Sequence, residues 1–486
     1  MDEHRGVARP VVAIAGSTGF VGRALMRELQ SWYKIVALTR LSVKESHRRS
    51  WTDDTGIEWR RCDLFSLTDA EEALQGVNYA FYLVHSMMPS ARLTQGKFQD
   101  MDLILADNFA RAAAKAGIKQ IIYLGGLVPD APNLSLHLRS RLEVENTLGA
   151  HGVPVTALRA GLVIGANGST SRILVRLAEK YRFMVFPRWM MSLTHPIALP
   201  DIINILHYCM GNPKTFNESF DVGGPDVMTY KELILTVAKI LNRKCHITDA
   251  PFFPTWLASI MLSITSASPL ALVKPLVESL KHPMVAKDRR LQEEMKLPGM
   301  PFVDAVKLAI SAKEPRSKIK PPIVAERRKI LSVRSVQRLI MPPGKDADWV
   351  ALHYSRWLPK LFPVIIKVKV DQLGCYFYVR FLRRSFLDLT FSHESSSKDL
   401  ALYYITGGFL AKLNQLPHRG RLEFRAVSNN RYVLAAIHYY VPTIPWYLYN
   451  ITQALLHVWV MNKYGKHLER LAKKTSNDGL IKQPSK

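Results

Sequence analysis

Between Ala15 and Gly22 the chain reads Ala-Gly-Ser-Thr-Gly-Phe-Val-Gly, a GxxGxxG set between the apolar run Val11–Ala15 and a segment of helical spacing. That spacing suits a pyrophosphate. Gly16 permits a tight turn off a strand, Gly19 lets the backbone approach the phosphates, and Gly22 lets the helix sit close to its sheet. Ser17, Thr18, Phe20 and Val21 complete the loop, whose free N–H groups lie at the positive end of the helix dipole. A second apolar run ends in Thr39-Arg40, and no acidic residue occurs between Glu28 and Glu45. A carboxylate at that point would bond the adenosine ribose of NAD, whereas a guanidinium can take a 2′-phosphate with charge-assisted hydrogen bonds. The expected cofactor is NADP(H) in preference to NAD(H). Asp63, at the end of a third strand, either meets the adenine edge or caps its own loop. His85 ends a fourth strand near the expected nicotinamide position, as a contact or as an ordinary loop histidine. The fifteen histidines show no HExxH or HxxxH spacing, so no metal site is expected.

The elements that must position these residues alternate. Strands are expected at Val11–Ala15, Ile35–Leu38, Glu58–Asp63, Tyr79–His85 and Ile121–Leu124, the first two being compact apolar runs. Between them lie helices at Gly19–Gln30, Thr68–Leu74 with a capping box from Thr68 to Glu71, and Phe98–Ala116. Such regular alternation implies right-handed crossovers and a doubly wound parallel sheet. It continues through Val155–Ile164 and Glu218–Val222, and residues 251–312 look mainly helical.

After Lys313 the character changes. The 486 residues carry 66 basic and 40 acidic side chains; residues 313–486 hold 30 and 11 of them. A basic, proline-containing linker is expected over 313–345. Short aromatic and β-branched runs follow from Ile365 to Tyr440, implying an antiparallel sheet, and then one long helix from Pro445 to about Lys473. The domains are thus read as 1–312, a linker at 313–345, a sheet-and-helix domain at 346–475 and a tail at 476–486. Residues 250–273 and 432–462 carry no Asp, Glu, Lys or Arg, but prolines interrupt both, so they read as buried core rather than spans. Four scattered cysteines and a polar start imply a reducing, cytoplasmic setting. The basic excess allows a peripheral place on an anionic inner-membrane surface. No helix-turn-helix, zinc finger or RNP-like motif supports specific nucleic-acid reading.

The first 310 residues resemble the short-chain dehydrogenase/reductase superfamily, in its atypical, NmrA-like, extended branch. The resemblance rests on Gly16–Gly22, Cys62-Asp63-Leu64, Ile121–Gly126, Leu158–Gly161, Thr194–Ile197 with Asp201, and Phe220–Pro225. It implies a Rossmann α/β fold with a small substrate lobe, and adds Leu64 to the adenine pocket. Ile405–Gly408 and Gly420–Phe424 resemble a domain of unknown function that follows such reductases. That domain is similar to the helix-grip folds of the START and Bet v 1 type, which implies a hydrophobic ligand in a cavity. Active members of the superfamily use a Tyr-x-x-x-Lys pair and a hydroxyl residue at the end of strand five. Aligned on Leu142–Glu145, this chain has His137 for the tyrosine, Arg141 for the lysine and Gly125-Gly126 for the hydroxyl residue. His137 then stands in as general acid and Arg141 binds ribose hydroxyls, or both are polar residues beside a cofactor that is no longer used in catalysis. Ser135 and Ser140 are nearby hydroxyls that nothing singles out. The resemblance implies an oxidoreductase of lipophilic carbonyl or quinone-like compounds. The alternatives are a non-catalytic NADP(H) sensor or assembly protein, and a membrane-associated lipid binder.

Overall fold

The computed structural model describes residues 9–40, 50–52, 55–85, 93–187, 191–250, 254–266, 270–312, 332–382, 384–413 and 419–480. The chain divides into two compact units, Met1–Met87 with Asn108–Ala325, and Met88–Asp107 with Glu326–Lys486.

The first unit opens with β1 (Val11–Ala15), α1 (Phe20–Leu29), β2 (Lys34–Thr39), β3 (Ser50–Thr52), β4 (Glu58–Arg61), α2 (Leu67–Ala73) and β5 (Tyr79–Tyr82). After β6 (Leu93–Gln95) come α3 (Phe98–Lys115), β7 (Gln120–Gly126), α4 (Leu136–Leu148) and β8 (Val155–Ala160). Its sheet runs Glu218–Val222, β8, β7, β5, β1, β2, β4, β3, parallel throughout except for β3 on the edge. The strands are apolar on both faces because helices cover both. Val12, Ile14, Ile35 and Phe81 are buried with Leu25 and Met26 of α1 and Ile202 and Leu206 of the helix Leu199–Cys209. A smaller core, built around Leu233, Val237 and Phe302, forms the second lobe. β1 has β2 on one side and β5 on the other, so the strand order reverses there and opens a crevice at the carboxyl ends.

Local details correct three expectations. The cap of α2 is Ser66, whose Oγ accepts the Asp69 N–H at 3.4 Å; Thr68 lies inside the helix. Ser66 also donates its own proton to the Asp69 carboxylate at 3.0 Å, so the serine–aspartate pair outcompetes the later Thr68–Glu71 pair. The helix Thr255–Ser266 exposes Trp256, Met261 and Ile264, so residues 250–273 are not uniformly core. The expected linker at 313–345 falls partly outside the described residues, but Val333–Ile340 is a strand and not a linker.

That strand belongs to the second unit. Its nine-stranded sheet runs Ile366–Val370, Gly374–Val379, Ser385–Phe391, Leu400–Gly407, Arg421–Val427, Tyr432–Pro442, Val333–Ile340 and β6, with Ala411–Lys412 beside Tyr432–Pro442. All neighbours are antiparallel apart from β6, which adds in parallel to Val333–Ser335. The helices Ala347–Leu361 and Gln453–Leu480 pack their apolar sides on one sheet face, through Val350, Leu358, Val460, Tyr464 and Leu468. The single long helix expected from Pro445 is two helices, Trp446–Ile451 and Gln453–Leu480, separated at Thr452. Among the described residues no helix is long and apolar enough to cross a membrane.

Period-two alternation puts Leu422, Phe424 and Ala426 on the apolar side of this sheet and Arg421, Glu423 and Arg425 on the other. On that other side the charges are buried. Arg425 pairs with Asp107 at 2.9 Å and with Glu423 at 3.0 Å, and Arg338 pairs with Asp100 of α3 at 2.8 Å. Burial pushes the His438 imidazole down to about 4, only partly offset by the Glu423 carboxylate. A histidine held below its unfolded value takes up its proton more readily once unfolded. Its contribution to stability is therefore complete above about pH 6.5 and is lost as pH falls toward 4. Thermal melts should show stability falling across that window, with a shallower fall in His438→Gln. An equal slope in the variant would remove His438 as the cause.

Candidate functional site

The turn after β1 is built as the glycine spacing requires. Gly16 has φ +91°, and a Cβ there would fall 2.7 Å from the Leu83 carbonyl oxygen at the end of β5. A Cβ on Gly22 would collide with the Gly16 carbonyl, so only glycine lets α1 start this close to β1. Gly19 is the N-cap and supplies no side-chain cap, which leaves the first N–H groups of α1 for a ligand.

Within this loop the structure separates backbone from side-chain roles. Ser17 is fully buried and its Oγ donates to the Leu38 carbonyl at 2.7 Å, tying the turn to the end of β2. Its hydroxyl is spoken for, so Ser17 offers a ligand only its backbone. The Phe20 ring packs against Gly165 and Gly168, and Val21 packs on the sheet core, so both serve through their N–H groups alone. Thr18 is exposed.

Arg40 follows β2, is exposed, and makes no hydrogen bond to another described residue. Asp63 accepts the Phe65 N–H at 3.3 Å, the loop-capping alternative of its two readings. The Leu64 carbonyl accepts from Asn108 Nδ2 at 2.8 Å. Asn108 is fully buried and pins the Cys62–Leu64 loop; sequence reading passed over it. A polar residue on the apolar side of α3 was the available signal. His85 lies exposed beyond the end of β5.

The residues aligned with the usual catalytic set come together at the carboxyl end of β7 and the start of α4. Ser135 caps α4, accepting the Leu138 N–H at 3.3 Å, and its hydroxyl also meets Ser279 at 3.0 Å. That is a structural role. His137, in the first turn, is half-buried, and desolvation holds its imidazole down to about 4. It is therefore neutral near pH 7 and carries one ring proton. Arg141, one turn on, is 5% exposed, and burial lowers its guanidinium to about 9, opposed weakly by Tyr82. Its Nη1 is buried with no hydrogen-bond partner among the described residues. The Tyr123 hydroxyl donates to the Arg141 carbonyl at 3.3 Å, fixing that turn of the helix. Farther along α4, Glu145 receives Arg159 Nη2 at 2.6 Å and Ser219 Oγ at 2.7 Å, which anchors the helix to β8 and its neighbour. Among the described residues, chain neighbours aside, no atom lies within 4 Å of where a Cβ of Gly126 would be.

His195, part of the family-like Thr-His-Pro-Ile run, is not a free acid or base. Its Nε2 donates to the Gly224 carbonyl at 2.7 Å, while Nδ1 accepts the Ala286 N–H at 3.2 Å. Both ring nitrogens are consumed in closing the smaller lobe. Asp201 likewise accepts the Met300 N–H at 2.7 Å.

Among the described residues, the bare glycine turn, the uncrowded Gly126 and the unpaired buried Nη1 of Arg141 fit a dinucleotide lying across the carboxyl ends of β1 and β5. Residues 12–133 match the NAD dependent epimerase/dehydratase family. The chain is 31% identical over 147 residues to the auxiliary protein GraX of Staphylococcus aureus, covering 30% of this chain and 43% of that one. It therefore spans less than half the length of that relative. It is 25% identical over 199 residues to the mitochondrial protein FMP52 of Lodderomyces elongisporus, covering 39% of this chain and 82% of that one. The Citrobacter triphenylmethane reductase complexed with NADP(H) superposes with a TM-score of 0.47 at 16% identity, covering 62% of this chain and 99% of that one. Residues 12–133 of this chain are thus similar to an NAD dependent epimerase/dehydratase domain.

Proposed function

We propose that this chain is an NADP(H)-dependent oxidoreductase acting on a lipophilic carbonyl or quinone-like compound. The observation that carries the reading is Arg141. A guanidinium buried with one nitrogen unpaired is costly, and a native fold retains such a group where a ligand completes it. Arg141 would hold ribose hydroxyls, and the N–H groups at the start of α1 would hold the pyrophosphate. The nicotinamide ring supplies the hydride when bound. Gly126 leaves room for the substrate where a serine or threonine side chain would otherwise stand. His137, neutral at pH 7, would donate its remaining ring N–H to the substrate oxygen as an imidazole rather than as an imidazolium.

Arg40 supports NADP(H) over NAD(H), because it is exposed, uncommitted and follows the strand that carries the adenosine ribose. Arg40→Ala should weaken NADPH binding about 10-fold or more and leave NADH binding nearly unchanged. Titrating both nucleotides against both proteins checks it; equal losses for the two would remove Arg40 from the 2′-phosphate.

Turnover tests the whole reading. NADPH oxidation should depend on added quinone or aldehyde. His137→Phe should lower that rate about 100-fold, with NADPH affinity kept within about threefold. The replaced Ser-Tyr-Lys set favours a second reading, a non-catalytic NADP(H) sensor. It predicts tight NADPH binding with no oxidation by any of these acceptors.

A further inference from the structure

The second unit holds a cavity of about 210 Å³ between its sheet and its two helices. Native cores leave few voids larger than one water molecule, so a space of this size is not packing slack. Its walls are apolar: Leu358 of one helix, Val460 of the other, and Phe377 and Leu422 of the sheet. Among the described residues no Asp, Glu, Lys or Arg lines it. The polar groups among its lining side chains include Tyr440, Gln453 and His457. Tyr440 is committed, donating to the Leu410 carbonyl at 2.7 Å, with the Gln453 side-chain oxygen at 3.3 Å. His457 is not: among the described residues its Nε2 is buried without a hydrogen-bond partner. Burial also lowers its imidazole to about 4, so the ring is neutral at pH 7. Leu456 lines the cavity yet is 54% exposed, which marks the mouth beside His457.

We propose that this cavity binds an uncharged hydrophobic molecule carrying one hydrogen-bonding oxygen, which sits on His457 Nε2. Three observations combine. The apolar walls select a hydrophobic body. The absence of a lining charge rejects an ionised head group, which would be desolvated there with no counter-charge. The orphaned imidazole nitrogen supplies a polar contact that a purely hydrocarbon ligand would leave unmade. Scaled from an apolar cavity of about 150 Å³ that takes benzene, the enclosed space suits one aromatic ring with short substituents or about eight carbons of chain. A longer tail would leave past Leu456. This site is argued independently of the nucleotide-binding unit, and its test involves no nucleotide.

The experiment uses the full chain and the fluorescent probe N-phenyl-1-naphthylamine, whose phenyl ring would enter the cavity while its naphthyl group lies in the mouth beside Leu456. The probe should bind with a blue-shifted, enhanced emission and be displaced by butyrophenone, butylbenzene and 4-butylbenzoate to different degrees. Butyrophenone should be the strongest competitor, even though butylbenzene leaves water more readily. The anionic 4-butylbenzoate should be at least about 10-fold weaker, the equivalent of one unmade charge-compensating contact. His457→Phe should reverse the order of the first two. Ile437→Trp, which fills the cavity from the sheet side, should abolish probe enhancement while a cooperative melt shows the protein folded. Competition that follows hydrophobicity alone in the unmodified protein overturns the assignment to His457. Undiminished probe binding by folded Ile437→Trp overturns the cavity itself. Both readings stand whether or not the nucleotide domain proves catalytic.

Discussion

Replacing Arg141 with methionine should raise the melting temperature of the nucleotide-free protein and weaken NADPH binding about 100-fold. The two effects have opposite signs because they come from the same charge in two states. Without nucleotide, Arg141 is 5% exposed, its pKa is pulled to about 9 by desolvation, and Nη1 has no partner among the described residues. Replacing even a complete buried ion pair by apolar side chains of similar volume is often neutral or stabilising by about 1–4 kcal/mol, and Arg141 lacks such a partner among the described residues. With nucleotide, the same charge gains its missing acceptors, and removing it forfeits a charge-assisted contact made in a dry site. Thermal melts with and without NADPH, alongside calorimetric titration, separate the terms. A lower melting temperature without nucleotide would mean that Arg141 is a structural residue, and the proposed function would lose its main support. Arg141→Lys should keep part of the affinity, since a lysine is the usual occupant of the aligned position.

Arg425→Met should destabilise the second unit by about 3–5 kcal/mol. Arg425 is completely buried and faces two carboxylates, Asp107 at 2.9 Å and Glu423 at 3.0 Å. Burial by itself would raise the Glu423 carboxyl, but Arg425, His438 and Arg421 hold it well below the usual range. Methionine fits the volume and leaves both anions inside with much less compensation. The expected loss is therefore much larger than that of a surface pair such as Lys115–Glu71, which contributes about 0–1 kcal/mol. Because the chain has two units, one unfolding midpoint would mix their stabilities. Hydrogen exchange along Arg421–Val427 and Tyr432–Pro442 isolates the relevant one. Lysine should not rescue the site, since one ammonium lacks the planar fork that reaches both carboxylates. A loss below about 1 kcal/mol would show that the cluster relaxes or takes up water.

The glycine loop and the strands around it were legible because each depends on short-range rules. A parallel strand covered on both faces must be an unbroken apolar run, as in β1 and β2. A helix starting against a sheet without a side-chain cap must place small residues where Gly16 and Gly22 stand. The antiparallel character of the second sheet was readable for the same reason, from short aromatic and β-branched runs. Ser17 shows where local reading stopped. Its type suits a phosphate contact, but its hydroxyl is claimed by the Leu38 carbonyl, twenty-one residues away.

Long-range partners account for what the sequence left open. β6 and the first turns of α3 lie among reductase-like residues in the chain, yet they belong to the second unit, where Leu93–Gln95 pairs with Val333–Ser335. A three-residue strand has no periodicity to detect, and a partner 240 positions away leaves no local mark. Arg425 and Asp107 likewise read as two ordinary surface charges until the fold buries them together. Residue spacing alone determined the nucleotide-binding class of the first unit, because backbone sterics and helix-end electrostatics act over a few residues. Tertiary structure decided which polar atoms lack partners among the described residues, Arg141 Nη1 and His457 Nε2 included. Burial is a property of the packed whole, and only there does an unpaired nitrogen become costly enough to point to a ligand.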